Sequence, residues 1–303
     1  MFTLRINVIL NANNSLAKSL FTTSFALVAF AANSVFCRLA LGEQTIDAAS
    51  FTVIRLLSGT VVLLVILKLF SNKDSSPSKG SWTASLMLFF YAITFSFAYN
   101  TLDTGTGALI LFGSVQITMI LLSLISGNRL HITEWIGVSL AFMGLFYLVL
   151  PGITTPSFTG FSLMSIAGIA WGIYSLKGRA SANPLKDTAY NFSRTIPLVI
   201  VLAIVAIQNA HFSTMGILLA ALSGGIASGI GYIIWYIALG GLSATQAAVV
   251  QLLVPVIAAS GGVIFVSEVI TLRLIFSAIM ILSGILMVVL GRNYFAQLKL
   301  IDS

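Results

Sequence analysis

Ten apolar stretches of about 20 residues each, separated by short polar turns, are the feature that most constrains this chain. A helix needs about 20 mostly apolar residues to cross the hydrocarbon core of a bilayer. The predicted spans are 19–40, 49–70, 82–102, 105–125, 132–150, 158–177, 188–207, 214–239, 243–266 and 270–291. No connecting segment is long enough to hold a soluble domain. The sequence therefore predicts an all-α membrane protein with ten transmembrane helices.

The composition excludes several other classes of protein. Charged residues make up 8% of the 303-residue chain, whereas soluble domains carry about 25%, so the chain cannot cover a water-facing surface. The single cysteine, Cys37, excludes an internal disulfide and a multi-cysteine metal site. No P-loop and no nucleophile–base arrangement is visible. We expect no enzyme, no metal, no cofactor and no nucleic-acid partner, since the net charge of +7 fits cytoplasmic loops.

The distribution of lysine and arginine predicts the orientation of the spans. With the N-terminus inside, the inner segments hold eleven of these residues and the outer ends hold two, Arg38 and Arg273. Cytoplasmic loops carry an excess of Lys and Arg, so both termini are expected in the cytoplasm and the protein in the inner membrane. Residues 1–18 do not resemble a signal peptide and are expected to form a lead-in. Residues 292–303 are expected to form a cytoplasmic tail.

The two halves of the chain repeat each other. HITEWIGVSLAFMGLFYLVL aligns with TLRLIFSAIMILSGILMVVL at an offset of 140, YNTL aligns with YIAL at an offset of 137, and Arg55 aligns with Arg194 at an offset of 139. Five spans per repeat is an odd number, so the second copy must be inverted relative to the first, as in many secondary transporters. The sequence predicts two five-helix repeats of inverted topology, residues 19–150 and 158–291.

These features resemble the drug/metabolite transporter superfamily, in its EamA-type branch of ten-span permeases. The resemblance rests on the five-span halves, the arginine in the second span of each half, AWGIYS at 170–175 and QAAVVQLLVPVIAASGGVIFVSEVIT at 246–271. It implies ten helices around a central cavity lined by spans one, three, four, six, eight and nine. Spans five and ten would lie at the periphery, near a homodimer contact. It further implies a small organic solute as the substrate, with membrane lipids around the protein.

Two arginines within spans, Arg55 and Arg194, are unusual, because a charge at the bilayer centre costs roughly 2.5–3.5 kcal/mol. Each lies about 9 Å from its own membrane surface at 1.5 Å per residue. One interpretation is structural, with side chains that snorkel to the headgroups or cap a helix end. The other is gating or attraction of an anionic solute. The charge pattern places Glu43 and Asp47 near Arg55, and anionic lipid near Arg194.

Uncharged polar side chains within the spans are candidate substrate contacts: Asn33, Asn100, Gln116 and Gln251. Amides both donate and accept hydrogen bonds, and polar groups in lipid face the bundle interior or a wet cavity. The alternative is that they only join helices. Gln116 and Gln251 lie on equivalent spans at non-equivalent positions, so we expect an asymmetric pathway.

Aromatic and proline residues complete the set of candidates. Trp171 lies in the middle of its span and is expected to form a cavity wall. Interfacial anchors are expected at Tyr99, Trp235 and Tyr236. Pro255 removes a backbone donor and predicts a kink or hinge in the ninth span. The glycines of SGGIASGIGY, at 223–232, permit close packing or bending in the eighth.

The pattern favours a secondary transporter. No carboxylate or histidine lies at mid-membrane, so the cavity is expected to be neutral and amide-lined, which suits a zwitterion or an uncharged heterocycle. The resemblance further implies alternating-access transport, in the export direction, of a small polar or amphipathic metabolite such as an amino acid or related compound. The alternatives are an importer of such solutes or of purines or sugars and, outside this class, a membrane-embedded scaffold or enzyme.

Overall fold

The computed structural model describes residues 2–70, 79–125, 127, 132–150, 155–179, 181–239 and 250–301. Within these residues the regular secondary structure is helical, and one isolated backbone bridge joins Ile46 to Phe212. The predicted all-α class is confirmed. The ten-span count and the inverted arrangement remain predictions.

The first half contains five helices: α1 (Phe2–Gly42), α2 (Ala48–Phe70), α3 (Trp82–Ala98), α4 (Thr104–Ile125) and α5 (Ile132–Val149). Residues 2–18, predicted as a separate lead-in, continue directly into the first span as part of α1.

The second half begins with α6 (Phe158–Arg179) and α7 (Pro184–Ala206), which ends in a 3-10 turn (Ile207–Asn209). The predicted eighth span consists of α8 (Thr214–Leu222), a π-helical segment (Ser223–Ile230) and α9 (Gly231–Leu239). The last two helices are α10 (Leu253–Val266) and α11 (Leu272–Ile301), and α11 includes most of the predicted tail.

Length and composition mark six helical stretches among the described residues as able to cross a membrane: Phe21–Gly42, Ala48–Phe70, Thr104–Leu122, Phe158–Gly178, Pro184–Asn209 and Thr214–Ala238. Four shorter apolar helices lie at Trp82–Ala98, Ile132–Leu148, Leu253–Val266 and Leu272–Val288. The chain is therefore an integral membrane protein. Residues 243–249 of the predicted ninth span lie outside the described residues.

Local hydrogen bonds explain where several helices begin and end. Side-chain oxygens accept backbone N–H groups in the first turns of several helices, among them Ser81 on α3, Asn183 on α7 and Ser213 on α8. Helix α3 ends at Ala98, before the predicted end at residue 102, because the N–H groups of Thr101 and Leu102 both turn back to the Ala98 carbonyl. The predicted third span was too long for this reason.

The two halves pack against each other in an exchanged pattern. Helix α1 contacts α9, the π segment and α10, whereas α6, at the start of the second half, contacts α3 and α4. Helix α2 packs on α7, and α5 packs on α11. Corresponding helices of the two halves thus make corresponding contacts, as a repeat with a pseudo-twofold relation requires.

The α5–α11 contact is close enough for the two backbones to touch. A Cβ added at Gly137 would lie 2.4 Å from the carbonyl oxygen of Gly284, and one added at Gly284 would lie 2.5 Å from that of Gly137. Only glycine fits at either position, which is the use of small residues expected between membrane helices.

Two aspartates near the starts of α2 and α7, Asp47 and Asp187, hold the connections between helices through hydrogen bonds. Asp47 precedes α2 and accepts the N–H groups of Ser50 at 2.9 Å and His211 at 3.0 Å. Burial alone would raise the pKa of Asp47, but its hydrogen bonds to Ser50 and His211 outweigh burial and hold that pKa below its usual value. Asp187, in α7, accepts the N–H of Gly80 at 2.7 Å. An aspartate of each half therefore hydrogen-bonds the segment before a helix of the other half, which is α8 for Asp47 and α3 for Asp187.

Candidate functional site

Arg55 lies in the interior of the helix bundle, with 1% of its surface exposed. Its Nη2 donates to the hydroxyl of Tyr91 at 3.0 Å, and its Nε donates to Ser228 Oγ at 3.3 Å. The guanidinium also lies over the rings of Tyr91 and Phe95, at 5.0 and 4.9 Å from their centroids. The interpretation in which Arg55 snorkels to the headgroups or pairs with Glu43 and Asp47 is wrong, because these inward contacts hold the side chain.

The aromatic side chains around Arg55 come from four helices. Trp171 of α6 contacts the rings of Phe30, Tyr91 and Tyr232, with centroid separations of 6.1, 4.8 and 4.8 Å. It also stacks on Tyr174 at 5.3 Å. The structure thus places Trp171 at the centre of a cluster where α1, α3, α6 and α9 meet.

Asn33 completes the polar part of this cluster. Its Oδ1 accepts the hydroxyl of Ser223 at 2.5 Å, and its Nδ2 donates to the Tyr91 hydroxyl at 3.3 Å. These bonds fix the amide orientation and join α1, α3 and the π segment. We call Asn33, Arg55, Tyr91, Phe95, Trp171, Ser228 and Tyr232 the central cluster, and all seven side chains are buried.

Close backbone approach brings Arg55 and the π segment together. A Cβ added at Gly224 would lie 2.0 Å from the carbonyl oxygen of Arg55, and one at Gly59 would lie 3.0 Å from the carbonyl oxygen of Gly224. Short π segments inside α-helices occur frequently at functional sites. The close packing predicted for these glycines is therefore present, and it sets the position from which Arg55 reaches Ser228.

Residues of the central cluster correspond to one another in the repeat. Tyr91 aligns with Ser228, and Phe95 with Tyr232, at the offset of 137 already seen for YNTL and YIAL. Asn33 aligns with Trp171. Equivalent positions of the two halves thus meet at one place, which puts the cluster at the interface between the repeats.

Arg194 lies in a different environment from its counterpart Arg55. It is half-buried, and its guanidinium lies 5.5 Å from the ring centroid of Trp82, which is 61% exposed at the start of α3. Its Nη1 is nevertheless buried without a hydrogen-bond partner among the described residues, so snorkelling of Arg194 to the headgroups stays a prediction. The two equivalent arginines therefore have different contacts.

The other predicted polar residues are dispersed. Gln116 is 4% exposed on α4, and its Nε2 has no hydrogen-bond partner among the described residues. Gln251 is half-buried and lies just before α10. Asn100 lies in the turn after α3 and is exposed, so its predicted place deep in a span is wrong. It borders a recess of about 560 Å³ with Asp47 and His211.

Pro255 is buried in the first turn of α10. Residues 250–251 are helical, a turn follows at Leu252, and α10 begins at Leu253. The interruption falls where a proline lacking an N–H cannot continue the hydrogen-bond ladder. A hinge role for Pro255 stays a prediction.

A network at one end of the bundle, which we call the polar lock, joins the polar groups of Arg38, Asp103, Thr104 and Glu268. Arg38 donates from Nε to Glu268 at 3.1 Å and from Nη2 to Asp103 at 3.3 Å. Glu268 also accepts the backbone N–H of Thr104, the first residue of α4, at 2.9 Å. A carboxylate at a helix N-terminus is favourably placed. The lock joins α1 and α4 of the first half to the α10–α11 connection of the second.

Sequence reasoning missed Tyr91 and Ser228, because neither has a local signal and both act through a partner distant in the chain. It also misassigned Tyr99 and Trp235, which are buried at 0% and 6% exposure and are not interfacial anchors. The expectation of a neutral, amide-lined cavity stays a prediction, and the central cluster adds the charge of Arg55 to the bundle interior. No group of three or more His, Cys, Asp or Glu side chains able to hold a metal occurs among the described residues.

Comparison with known proteins finds full-length relatives. The chain is 43% identical over 275 residues to the uncharacterized protein PA1977 of Pseudomonas aeruginosa (strain PAO1), covering 91% of this chain and 96% of that protein. It is 20% identical over 260 residues to the uncharacterized transporter YoaV of Bacillus subtilis (strain 168), covering 82% and 89% of the two chains.

A solved crystal structure shares the fold. It matches with a TM-score of 0.58 at 15% identity, covering 88% of this chain and 96% of that one. The model of the EamA-like transporter family matches twice, at residues 17–150 and 158–290. The two matches fall on the two halves of the chain, and the chain belongs to the EamA-like transporter family.

Proposed function

We propose that this protein is a secondary carrier that exports a small polar or amphipathic metabolite, such as an amino acid or a related compound, by alternating access. The observation that carries the proposal is the central cluster, which is buried and built from equivalent positions of both halves. A site on the interface between repeats is reached from either side when one repeat rocks against the other. Membership of a transporter family supports this interpretation.

The orientation is part of the proposal. We infer ten spans with both termini in the cytoplasm, which puts the polar lock at the external face and Lys177 and Lys186 at the inner face. The exchanged contacts between halves support an inverted repeat. Reporter fusions after residue 303 and within the 151–157 connection test it, and a C-terminus outside the cytoplasm would contradict both topology and repeat.

The solute pathway is inferred to pass the central cluster and the amides of Gln116 and Gln251. The unpartnered Nε2 of buried Gln116 supports its place on this path, because a buried donor without a partner costs about 1–3 kcal/mol. Cysteines placed at either position, in a Cys37→Ala background, should react with a water-soluble thiol reagent in at least one state. Absence of labelling at both positions with unchanged transport would remove them from the pathway.

A metabolite-uptake screen in inside-out vesicles, with and without a pH gradient, tests the function directly. Export predicts accumulation inside such vesicles, in amounts that exceed those of vesicles lacking the protein. A dependence on the gradient would reveal proton coupling. Uptake only in right-side-out vesicles would instead indicate the importer.

A further inference from the structure

We propose that Arg55 binds a carboxylate group of the transported solute, so that the central cluster is an anion subsite; this rests on the proposed transport function. The sequence predicted a neutral, amide-lined cavity, and the buried guanidinium changes the expected substrate class to one bearing a carboxylate.

The first argument is the charge of Arg55 itself. An arginine side chain stays protonated at every accessible pH, so burial cannot neutralise it. The carboxylates of Asp103 and Glu268 pair with Arg38, and no carboxylate among the described residues pairs with Arg55. Its partners are two hydroxyls and two ring faces, all uncharged. A buried cation without a counter-charge is costly, and a bound anion would offset that cost.

The second argument is the geometry of the unused donor. Nη1 of Arg55 is buried and has no hydrogen-bond partner among the described residues, although Nη2 and Nε both have one. Guanidinium groups bind carboxylates through two parallel N–H donors. The free nitrogen neighbours one that is held only by a neutral hydroxyl, so a carboxylate can engage both with the loss of a single neutral bond.

The third argument is a surplus of donors in the cluster. The Tyr91 oxygen accepts from both Arg55 and Asn33, and the Ser228 oxygen accepts from Arg55, so both hydroxyl groups are acceptors in these bonds. Their hydrogens can be directed toward a ligand or toward the neighbouring Tyr232 hydroxyl. The amide oxygen of Asn33 is already occupied by Ser223. Such a set is complementary to a ligand that only accepts hydrogen bonds, and an ionised carboxylate is one.

The location links binding to movement. Arg55 and Tyr91 belong to the first half, whereas Ser228 and Tyr232 belong to the second. A carboxylate held between them contacts both repeats at once. It therefore has a different affinity for arrangements in which the repeats are close or separated, and only such a difference lets a ligand shift a conformational equilibrium.

The binding test uses purified protein in nanodiscs and pairs of probes that differ only in charge: acetate with acetamide, butyrate with butyramide, and phenylacetate with phenylacetamide. Thermal stabilisation is measured for each probe at constant ionic strength. We expect at least one carboxylate to stabilise the wild type with a tenfold or greater apparent affinity advantage over its amide. No carboxylate preference in any pair would overturn the subsite.

Variants separate charge from folding. Arg55→Met should abolish the carboxylate preference, Arg55→Lys should keep a weaker preference because the charge remains, and Tyr91→Phe should reduce it severalfold by removing one hydroxyl. Arg194→Met, the matched control at the equivalent position, should retain the preference. Equal loss in Arg55→Met and Arg194→Met would overturn the assignment. If Arg55→Met does not fold, an unchanged preference in both Arg55→Lys and Tyr91→Phe would do so.

Transport measurements in vesicles distinguish a failure of the carboxylate subsite from a failure of the proposed transport function. If the vesicle screen finds transported solutes but their amides move equally well, the carrier stands and the subsite is wrong. If carboxylate binding depends on Arg55 while no solute moves in vesicles of either orientation, the subsite stands and the transport proposal fails.

Discussion

Arg55 and Arg194 occupy equivalent positions of the two repeats, yet one is buried among polar and aromatic side chains and the other lies beside an exposed tryptophan. Their backbones are placed alike, on α2 and α7, which pack on each other. The difference therefore comes from the neighbours. Tyr91 and Ser228 offer hydroxyl oxygens to Arg55, whereas the partner observed for Arg194 is the ring of Trp82. The repeat contains two equivalent arginines, and the surrounding side chains give them different contacts.

The largest expected effect comes from replacing each arginine in turn. Arg55→Met should lower transport roughly 100-fold, since hydrogen bonds to a charged group contribute about 1.5–3 kcal/mol each. Arg194→Met should cost only about threefold, as an exposed cation–π contact is worth about 0.5–1 kcal/mol. Both are measured in liposomes with and without anionic lipid. Identical phenotypes, with no lipid effect on either, would erase the contrast between the two sites.

A second substitution tests whether the close contact between Gly224 and the Arg55 backbone is needed for the environment that distinguishes Arg55 from Arg194. Gly224→Ala places a Cβ 2.0 Å from the Arg55 carbonyl oxygen, and overpacking of this kind typically costs about 1–3 kcal/mol. The aligned position in α3 is Met87, so no glycine serves Arg194 in this way. Thermal unfolding should show a clear decrease for Gly224→Ala. Gly229→Ala is the control, because the nearest neighbouring atom to its added Cβ, the carbonyl oxygen of Gly224, would be 3.3 Å away. An equal decrease there would contradict the steric explanation.

The two carboxylates of the polar lock, those of Glu268 and Asp103, differ in burial and can be compared directly. Glu268→Gln should raise external thiol labelling of a cysteine at position 33, in a Cys37→Ala background, by about tenfold, since a charge-assisted bond is worth about 1.5 kcal/mol or more. Asp103→Asn should raise it about twofold or less, as exposed ion pairs contribute little and Asp103 is 57% exposed. Labelling that does not change in Glu268→Gln would show that this network does not control access.

The smallest expected effect concerns Asp47, which precedes α2. The pKa of Asp47 is lowered in the folded protein, so its contribution is complete above the unfolded pKa of about 3.9 and is lost as pH falls through the folded value. We expect wild-type stability to decline below about pH 4 as this group is protonated and its hydrogen bonds to Ser50 and His211 weaken. Asp47→Asn, which keeps the cap on α2, should remove that part of the decline. An identical pH profile in wild type and variant would exclude Asp47 as its source.

The helices were predictable because hydropathy alone selects apolar stretches of membrane length. The misassignments occurred where a side chain's direction depends on distant neighbours. Nothing in residues 49–70 indicates that Arg55 points inward; the reason is Tyr91 and Ser228, which lie 36 and 173 residues away in the chain. Tyr99 lies near a span end, as an interfacial anchor would, but it is buried against Phe95. Periodicity finds helices, whereas packing between helices decides which face of each one is internal.

The π segment at Ser223–Ile230 is wound less tightly than the α-helical parts of the eighth span. A π turn bonds residue i to residue i+5 and so holds more residues than an α turn. If the segment changed from π-helix to α-helix, α9 would rotate about its axis and move along it away from α8. Neither helix would have to unfold at its ends. Tyr232 and Trp235 would then move away from Phe30, which both now contact. A change of helix type in this segment would thus turn the aromatic side chains of α9 relative to the bundle interior.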